Sequence, residues 1–328
     1  MNQRLSQIIR YALSAGVLTW LILSTNMGRV GTILLGADPW MTALAFAAYL
    51  LSVGTVAYRW RVLLIAQGIP MGFTRATKLY FIGNFFSNFL PTSVGGDAVR
   101  ALSARADAGS RIDAFASVFV ERFVGLFAIV TLALIGFLLI ALHLEHTYIV
   151  PITLILFVAM LATFPILFNR WWVDRLKGWF LHLKIFHLGE RATRLHEILY
   201  RYGGNRMALG LNFLISILFQ GLIVLMNIFA AEALHIAVNP VYFIVFVPAI
   251  GIISMFPFSI NALGFREGGY VFLFDRIGHP APEALALSLT LYGITVLSSL
   301  PGALFFSLGK RNQASSKATL AESALTEG

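Results

Sequence analysis

Residues 115–142 read FASVFVERFVGLFAIVTLALIGFLLIAL, an apolar block interrupted only by Glu121 and Arg122. It exceeds the roughly 20 residues that cross about 30 Å of hydrocarbon as a helix. No water reaches that depth, so the backbone must satisfy its own amides and carbonyls, and a helix does so within one segment. Comparable blocks lie at 11–25, 41–65, 147–168, 206–231 and 284–308. They predict an all-α integral membrane protein with about six full spans. Composition agrees: 12% of the 328 residues are charged, against about 25% in soluble domains. With no cysteine in the chain, disulfides, thiolate chemistry and cysteine metal ligation are excluded. The first block follows Arg4 and Arg10, as a signal peptide would. No small-residue cleavage site follows it, and a retained helix is expected.

The net charge of +9 is read first as a topology signal. Arg4 and Arg10, the run Arg59, Arg61, Arg75 and Lys78, the run Arg100, Arg105 and Arg111, the loop from Arg170 to Arg206, and the tail Lys310, Arg311 and Lys317 carry most of the cations. The segments 26–40, 143–147 and 232–240 carry Arg29, Asp38, Glu145 and Glu232. The positive-inside rule places the first group in the cytoplasm, both termini included, and the second outside. The apolar segments 76–95 and 241–260 then have to enter and return on one side. Two re-entrant hairpins, 76–112 and 241–280, are expected from opposite faces.

Their turns resemble each other. FLPTSVGGDAVR (89–100) and MFPFSINALGFREGG (255–269) each run from an apolar residue into a proline, Pro91 or Pro257. A serine comes two residues later, then glycine with a carboxylate and an arginine nearby. Similar sequence with opposite entry is the pattern of an inverted repeat, whose broken helices build a substrate site near the midplane. The first repeat is expected over about 11–142 and the second over about 206–308, within a membrane domain at 1–310.

Charge at this depth points to the site. Asp97 is suited to cap a half-helix that begins after Gly95 and Gly96, or to pair with Arg100, Arg122 or a cationic headgroup. A helix N-terminus beside an arginine suits a phosphate. Glu121 and Arg122 each cost at least about 2.5–3.5 kcal/mol at the membrane centre. Neighbours on a helix point about 100° apart, so each needs a partner on another element, with the hairpin of Asp97 and Arg100 the natural candidate. The bland alternative puts both at the cytoplasmic interface with Arg122 snorkelling. Arg266 and Glu267 are expected to be buried in the second hairpin rather than to form a surface salt bridge. Asn84, Asn88 and Asn261 offer amides to a headgroup or to loose backbone. Arg59 and Arg61, flanking Trp60 at a span end, read as interfacial anchors.

Residues 171–201 interleave Trp171, Trp172, Trp179, Phe180, Leu183 and Phe186 with basic residues, the pattern of an amphipathic segment on the cytoplasmic membrane surface. Residues 311–328 read as a disordered tail. His143 and His146 sit at a span end, and His182, His187 and His196 lack metal-site order; no metal and no cofactor is expected. No phosphate-binding loop with lysine and no G-x-S-x-G turn occurs. Nothing points to nucleic acid.

NFFSNFLPTSVGGDAVRA, then VERFVG, then FPFSINALGFREGG, resembles the flippase-like membrane domain of lysylphosphatidylglycerol synthases. That family has stand-alone homologues and archaeal relatives linked to lipid-linked glycan pathways. The resemblance covers nearly the whole chain. It implies a multi-pass protein of a bacterial or archaeal inner membrane that moves an aminoacylated phospholipid, or another lipid-linked headgroup, between leaflets. It marks Asn88, Pro91, Gly95, Gly96, Asp97, Arg100, Glu121, Arg122, Pro257, Gly264, Arg266 and Glu267 as signature positions. Aminoacyl-transferring members add a soluble domain after the membrane part. This chain ends too soon for one, so a transporter without synthase activity is expected. Its partners would be anionic, aminoacylated or polyprenyl-linked lipids, and a separate synthase or glycosyltransferase. Two alternatives stand beside transport: a membrane transferase using Asp97 or Glu121 as general base, and a non-catalytic partner of a synthase.

Overall fold

The computed structural model describes residues 3–89, 95–104, 111–141, 154–155, 157–159, 161–162, 200–255 and 262–308. Most of the expected span 147–168, almost all of the amphipathic segment 171–201, the tail 311–328, and Pro91, Pro257 and Asn261 lie outside them.

Every described element is helical. In chain order they are α1 (Gln3–Ser24), α2 (Met27–Leu35), α3 (Pro39–Ala66), α4 (Phe73–Phe89), α5 (Gly95–Ser103), α6 (Arg111–Ala141), α7 (Arg206–Ala233), α8 (Val241–Met255), α9 (Phe265–Asp275) and α10 (Ala281–Ser299). Four helices among the described residues are long and apolar enough to cross a membrane: Pro39–Ala66, Ile112–Leu139, Arg206–Ala233 and Ala281–Leu308. The segment 26–40, expected as an outside loop, instead holds α2. Asn26 starts it by accepting from the Arg29 amide at 3.0 Å, and the chain bends by 86° between Ser24 and Met27. If that bent pair counts as one span, the described spans number five.

The boundaries have chemical causes. Asp38 caps α3, its Oδ1 accepting from the amides of Trp40 at 2.7 Å and Met41 at 2.9 Å. Pro39 follows, where a missing N–H leaves nothing unsatisfied. Asn205 caps α7 through the Ala208 amide at 3.1 Å. Both long helices stop in the same way. Gly68 takes φ +76° and Ile69 donates back to the Leu64 carbonyl; His235 takes φ +55° and Ile236 donates back to the Ala231 carbonyl. A left-handed residue just past the helix turns the chain and occupies a carbonyl that the helix leaves unpaired.

The short helices fall where the sequence interrupts itself. With 17, 9, 15 and 11 residues in α4, α5, α8 and α9, none reaches about 30 Å at 1.5 Å per residue. α3 lies along α7 in the most extensive contact of the fold. α4 rests on α3, α5 and α10, while α8 rests on α7, α9 and α6. α5 reaches α6, and α9 reaches α10. Two of the apolar cores among the described residues surround the short pairs. One holds Trp60, Leu79, Ala101 and Ala114 around the first short pair, and the other holds Val224, Phe243, Phe274 and Leu287 around the second.

Polarity runs opposite to that of a soluble protein. Ser52, Asn212, Ser216 and Ser288 are buried, while Trp20, Leu23, Leu35, Trp40 and Met207 stand exposed. Outward apolar side chains match hydrocarbon, and inward hydroxyls and amides join helices where burial of apolar surface drives little association.

Candidate functional site

Three helices send charge, and a fourth a hydroxyl, to one place in the first core. From α6, Glu121 is fully buried. Its Oε1 lies 2.8 Å from Arg59 Nη2 on α3, and its Oε2 lies 2.7 Å from Arg100 Nη2 on α5. The Tyr80 hydroxyl of α4 donates to the same carboxylate. The Arg100 guanidinium is clasped between two rings, 4.6 Å from the Trp60 centroid and 4.1 Å from the Tyr80 centroid. Arg59 also donates to Ser216 Oγ at 3.0 Å, and Asn212 donates to the Arg59 carbonyl at 2.9 Å, tying α7 to the cluster. Trp60 Nε1 donates to Ser117 Oγ on α6 at 3.0 Å. One carboxylate thus holds two guanidiniums out of water, the arrangement in which arginine's fixed fork and weak hydration are most useful.

Glycines make the room. A Cβ at Gly125 would sit 3.0 Å from Arg59 Nη1. At Gly96 it would collide with Ser87 Oγ and the Gly83 carbonyl, so α4 and α5 meet backbone to backbone.

Asp97 and Arg122 lie at the edge of this cluster. Asp97 Oδ2 accepts from Arg122 Nε at 2.7 Å, and its Oδ1 is 3.4 Å from Arg100 Nη2. The structure therefore engages Asp97 as an ion-pair partner, the second of its two expected roles. Arg122 is the outlier, with 53% of its side chain exposed against 1% for Arg100.

The second short pair carries its own charges. Arg266 and Glu267 form an ion pair, with Arg266 Nε donating to Glu267 Oε1 at 3.1 Å. Glu267 Oε2 accepts from the Gly264 amide at 2.7 Å, closing the first turn of α9. Gly264 has φ +85°, and a Cβ there would lie 3.1 Å from Val17 of α1. The Arg266 guanidinium covers the Tyr292 ring of α10 at 4.6 Å. Tyr270 donates to Asn227 Oδ1 at 2.5 Å, which ties α7 to this pair as well.

Of the residues singled out from sequence, Asp97, Arg100, Glu121 and Arg122 come together, while Arg266 and Glu267 form a separate pair. Asn88 binds elsewhere: its Nδ2 donates to the Thr295 carbonyl of α10 at 3.4 Å. Gly95 opens α5. Arg59 corrects an expectation, since it is 5% exposed and ion-paired rather than an interfacial anchor. Arg61 beside it faces away, its Nε donating to the Met71 carbonyl at 2.9 Å. Tyr80 and the α7 amides were missed because uncharged polar residues are common in spans. Among the described residues no group of three or more His, Cys, Asp or Glu gathers where a metal could be held.

The charges, the two short helix pairs and the long spans, except for the end of the last, fall within one matched region: the model of the lysylphosphatidylglycerol synthase TM region aligns with residues 7–302. The chain belongs to that family. Among curated proteins none matches the chain. The lysylphosphatidylglycerol synthase TM region includes every element from α2 to α10, and so both charged clusters. Membership makes this a membrane-embedded protein connected with lipids.

Proposed function

We propose that the protein is a transporter of the flippase type, which passes a lipid's polar headgroup between leaflets while its chains stay in the bilayer. The observation that carries this reading is the buried Arg59–Glu121–Arg100 cluster with Asp97 and Arg122 at its edge. Such charges inside membrane-spanning protein are costly and mark pathways for polar cargo.

An inverted repeat supports the reading. The starts Pro39, Phe73, Gly95 and Ile112 recur at Arg206, Val241, Phe265 and Ala281, each about 167–170 residues further on. Exchanging α3–α6 for α7–α10 maps each helix contact described above onto another of them. A span across 147–168 would put α3 and α7 in opposite orientations. The two short pairs then become re-entrant hairpins from opposite leaflets, and the cytoplasmic side holds both termini. In this reading no covalent step occurs, and a synthase or glycosyltransferase supplies the lipid.

The test is leaflet exchange of labelled lipids in proteoliposomes. The intact protein is expected to exchange a phospholipid or polyprenyl-linked lipid, and an Arg122→Gln/Arg266→Gln variant of equal thermal stability is expected to lose that exchange. Equal rates for the two across candidate lipids overturn the proposal.

A further inference from the structure

Among the described residues the cluster around Glu121 does not balance. Arg59, Arg100 and Arg122 bring three positive charges, and Asp97 and Glu121 bring two negative ones. The described neighbours packed against it do not supply the difference. Arg75 turns to the Ser103 carbonyl at 3.4 Å, Lys78 lies over the Phe305 ring, and Asp113 pairs with Arg201 at 3.5 Å. α7 carries no charge between Arg206 and Glu232, and α10 carries none after Glu283. Residues 90–94 contain no charged side chain, and 105–110 contain one arginine and one aspartate.

We propose that Arg122 is the seat of a phosphodiester bearing one negative charge, and that Asp97 holds that seat until the phosphate displaces it. This rests on the lipid-handling reading above and names the headgroup chemistry for it. A single surplus guanidinium is matched by one phosphodiester monoanion. A zwitterionic headgroup brings a second positive charge into a cluster that already has an excess.

Three further observations point the same way. Arg122 uses only Nε towards Asp97, which leaves its Nη edge for phosphate oxygens in the two-bond geometry guanidinium favours. Arg100 is 1% exposed, yet its Nε and Nη1 have no hydrogen-bond acceptor, and its Nη2, held by Glu121, is the atom next to Asp97. An acceptor entering beside Asp97 would meet donors on both sides. Finally, Arg122 shares a helix face with Phe115 and Phe119, both exposed. On a membrane-spanning helix we read this exposed apolar face as the one turned to hydrocarbon, so the anion arrives laterally, carried by a lipid rather than from solution.

The experiment uses the full chain in nanodiscs with two probes, phosphatidylglycerol (one net negative charge) and phosphatidylcholine (zwitterionic), and measures binding by competition with a fluorescent lipid. Soluble glycerol phosphate is a third competitor. Both lipids offer Arg122 the same phosphodiester, and only choline adds a cation to the surplus, so wild type is expected to prefer phosphatidylglycerol by about tenfold in Kd. Arg122→Gln is expected to erase the preference, and Arg122→Lys to keep part of it. Asp97→Asn, which empties the seat, is expected to tighten phosphatidylglycerol binding several-fold. Equal binding of both lipids by wild type, a preference that survives Arg122→Gln, or weaker binding by stably folded Asp97→Asn overturns the proposal. Competition by glycerol phosphate equal to that of the lipid overturns the lateral route. Leaflet exchange measured on the same preparations separates the two readings: binding preference without exchange removes transport and leaves the seat, and exchange without preference does the reverse.

Discussion

Glu121 bridges two guanidiniums that would otherwise repel each other in a space closed to water. Breaking a buried pair by removing one partner costs about 3–5 kcal/mol. Glu121→Gln is therefore expected to lower thermal stability in detergent substantially, and Arg59→Gln to do the same, whereas Arg122→Gln should shift it little. Equal melting of Glu121→Gln and wild type would show that the carboxylate does not hold the arginines together. Asp97, Arg100, Glu121 and Arg122 were legible in sequence because a charge inside an apolar block is conspicuous. Arg59 was not, because Arg61 and the basic run after it made a span end look ordinary. The signal available was spacing. Ser52, Val56, Arg59 and Leu63 form one helical stripe, and the first three are 0%, 7% and 5% exposed with Leu63 fully buried.

At the scale of elements, glycine decides how closely helices approach. Gly96→Ala has to push α5 from α4, because Ser87 and the Gly83 carbonyl occupy the Cβ position. Overpacking of this kind costs about 1–3 kcal/mol. Earlier unfolding and faster proteolysis after Phe89 are the expected readouts, and an unchanged melting curve would contradict so tight a contact. Gly264→Ala carries a further strain of about 1–3 kcal/mol, because its positive φ is one side chains rarely adopt. It also presses on Val17, so it should loosen α1 together with α9. The short helices could be read from sequence, since proline and glycine mark where a helix stops. α2 could not, because Gly28, Gly31 and Gly36 gave the stretch a loop's composition, while its cap depends on Asn26 and the chain after it is held by the Asp38 amide donating to the Ala233 carbonyl at the end of α7.

For the whole molecule, the proposed inverted repeat makes a directional prediction. Since the chain has no cysteine, single cysteines report sidedness without background. Gln67→Cys, just past α3, is expected to react with an impermeant maleimide from the cytoplasmic side. Asn239→Cys, just past α7, is expected to react from the opposite side. Labelling of both from one side would exclude the inverted arrangement. The sequence pointed to two similar halves through their turns, but the correspondence of contacts needed coordinates. Helix packing depends on small residues scattered over faces that hydropathy treats as uniform.

α7 fastens both charged regions, through Ser216 to Arg59 and through Asn227 to Tyr270. Eleven residues of proline-free helix separate those attachments, about 16 Å at 1.5 Å per residue. It acts as a gauge bar, fixing both the spacing and the angular setting of the two ends. One alanine inserted after Phe219 would lengthen it by only about 1.5 Å but rotate Asn227 by about 100°, so that Tyr270 loses its acceptor while every residue of the Arg59 end stays in place.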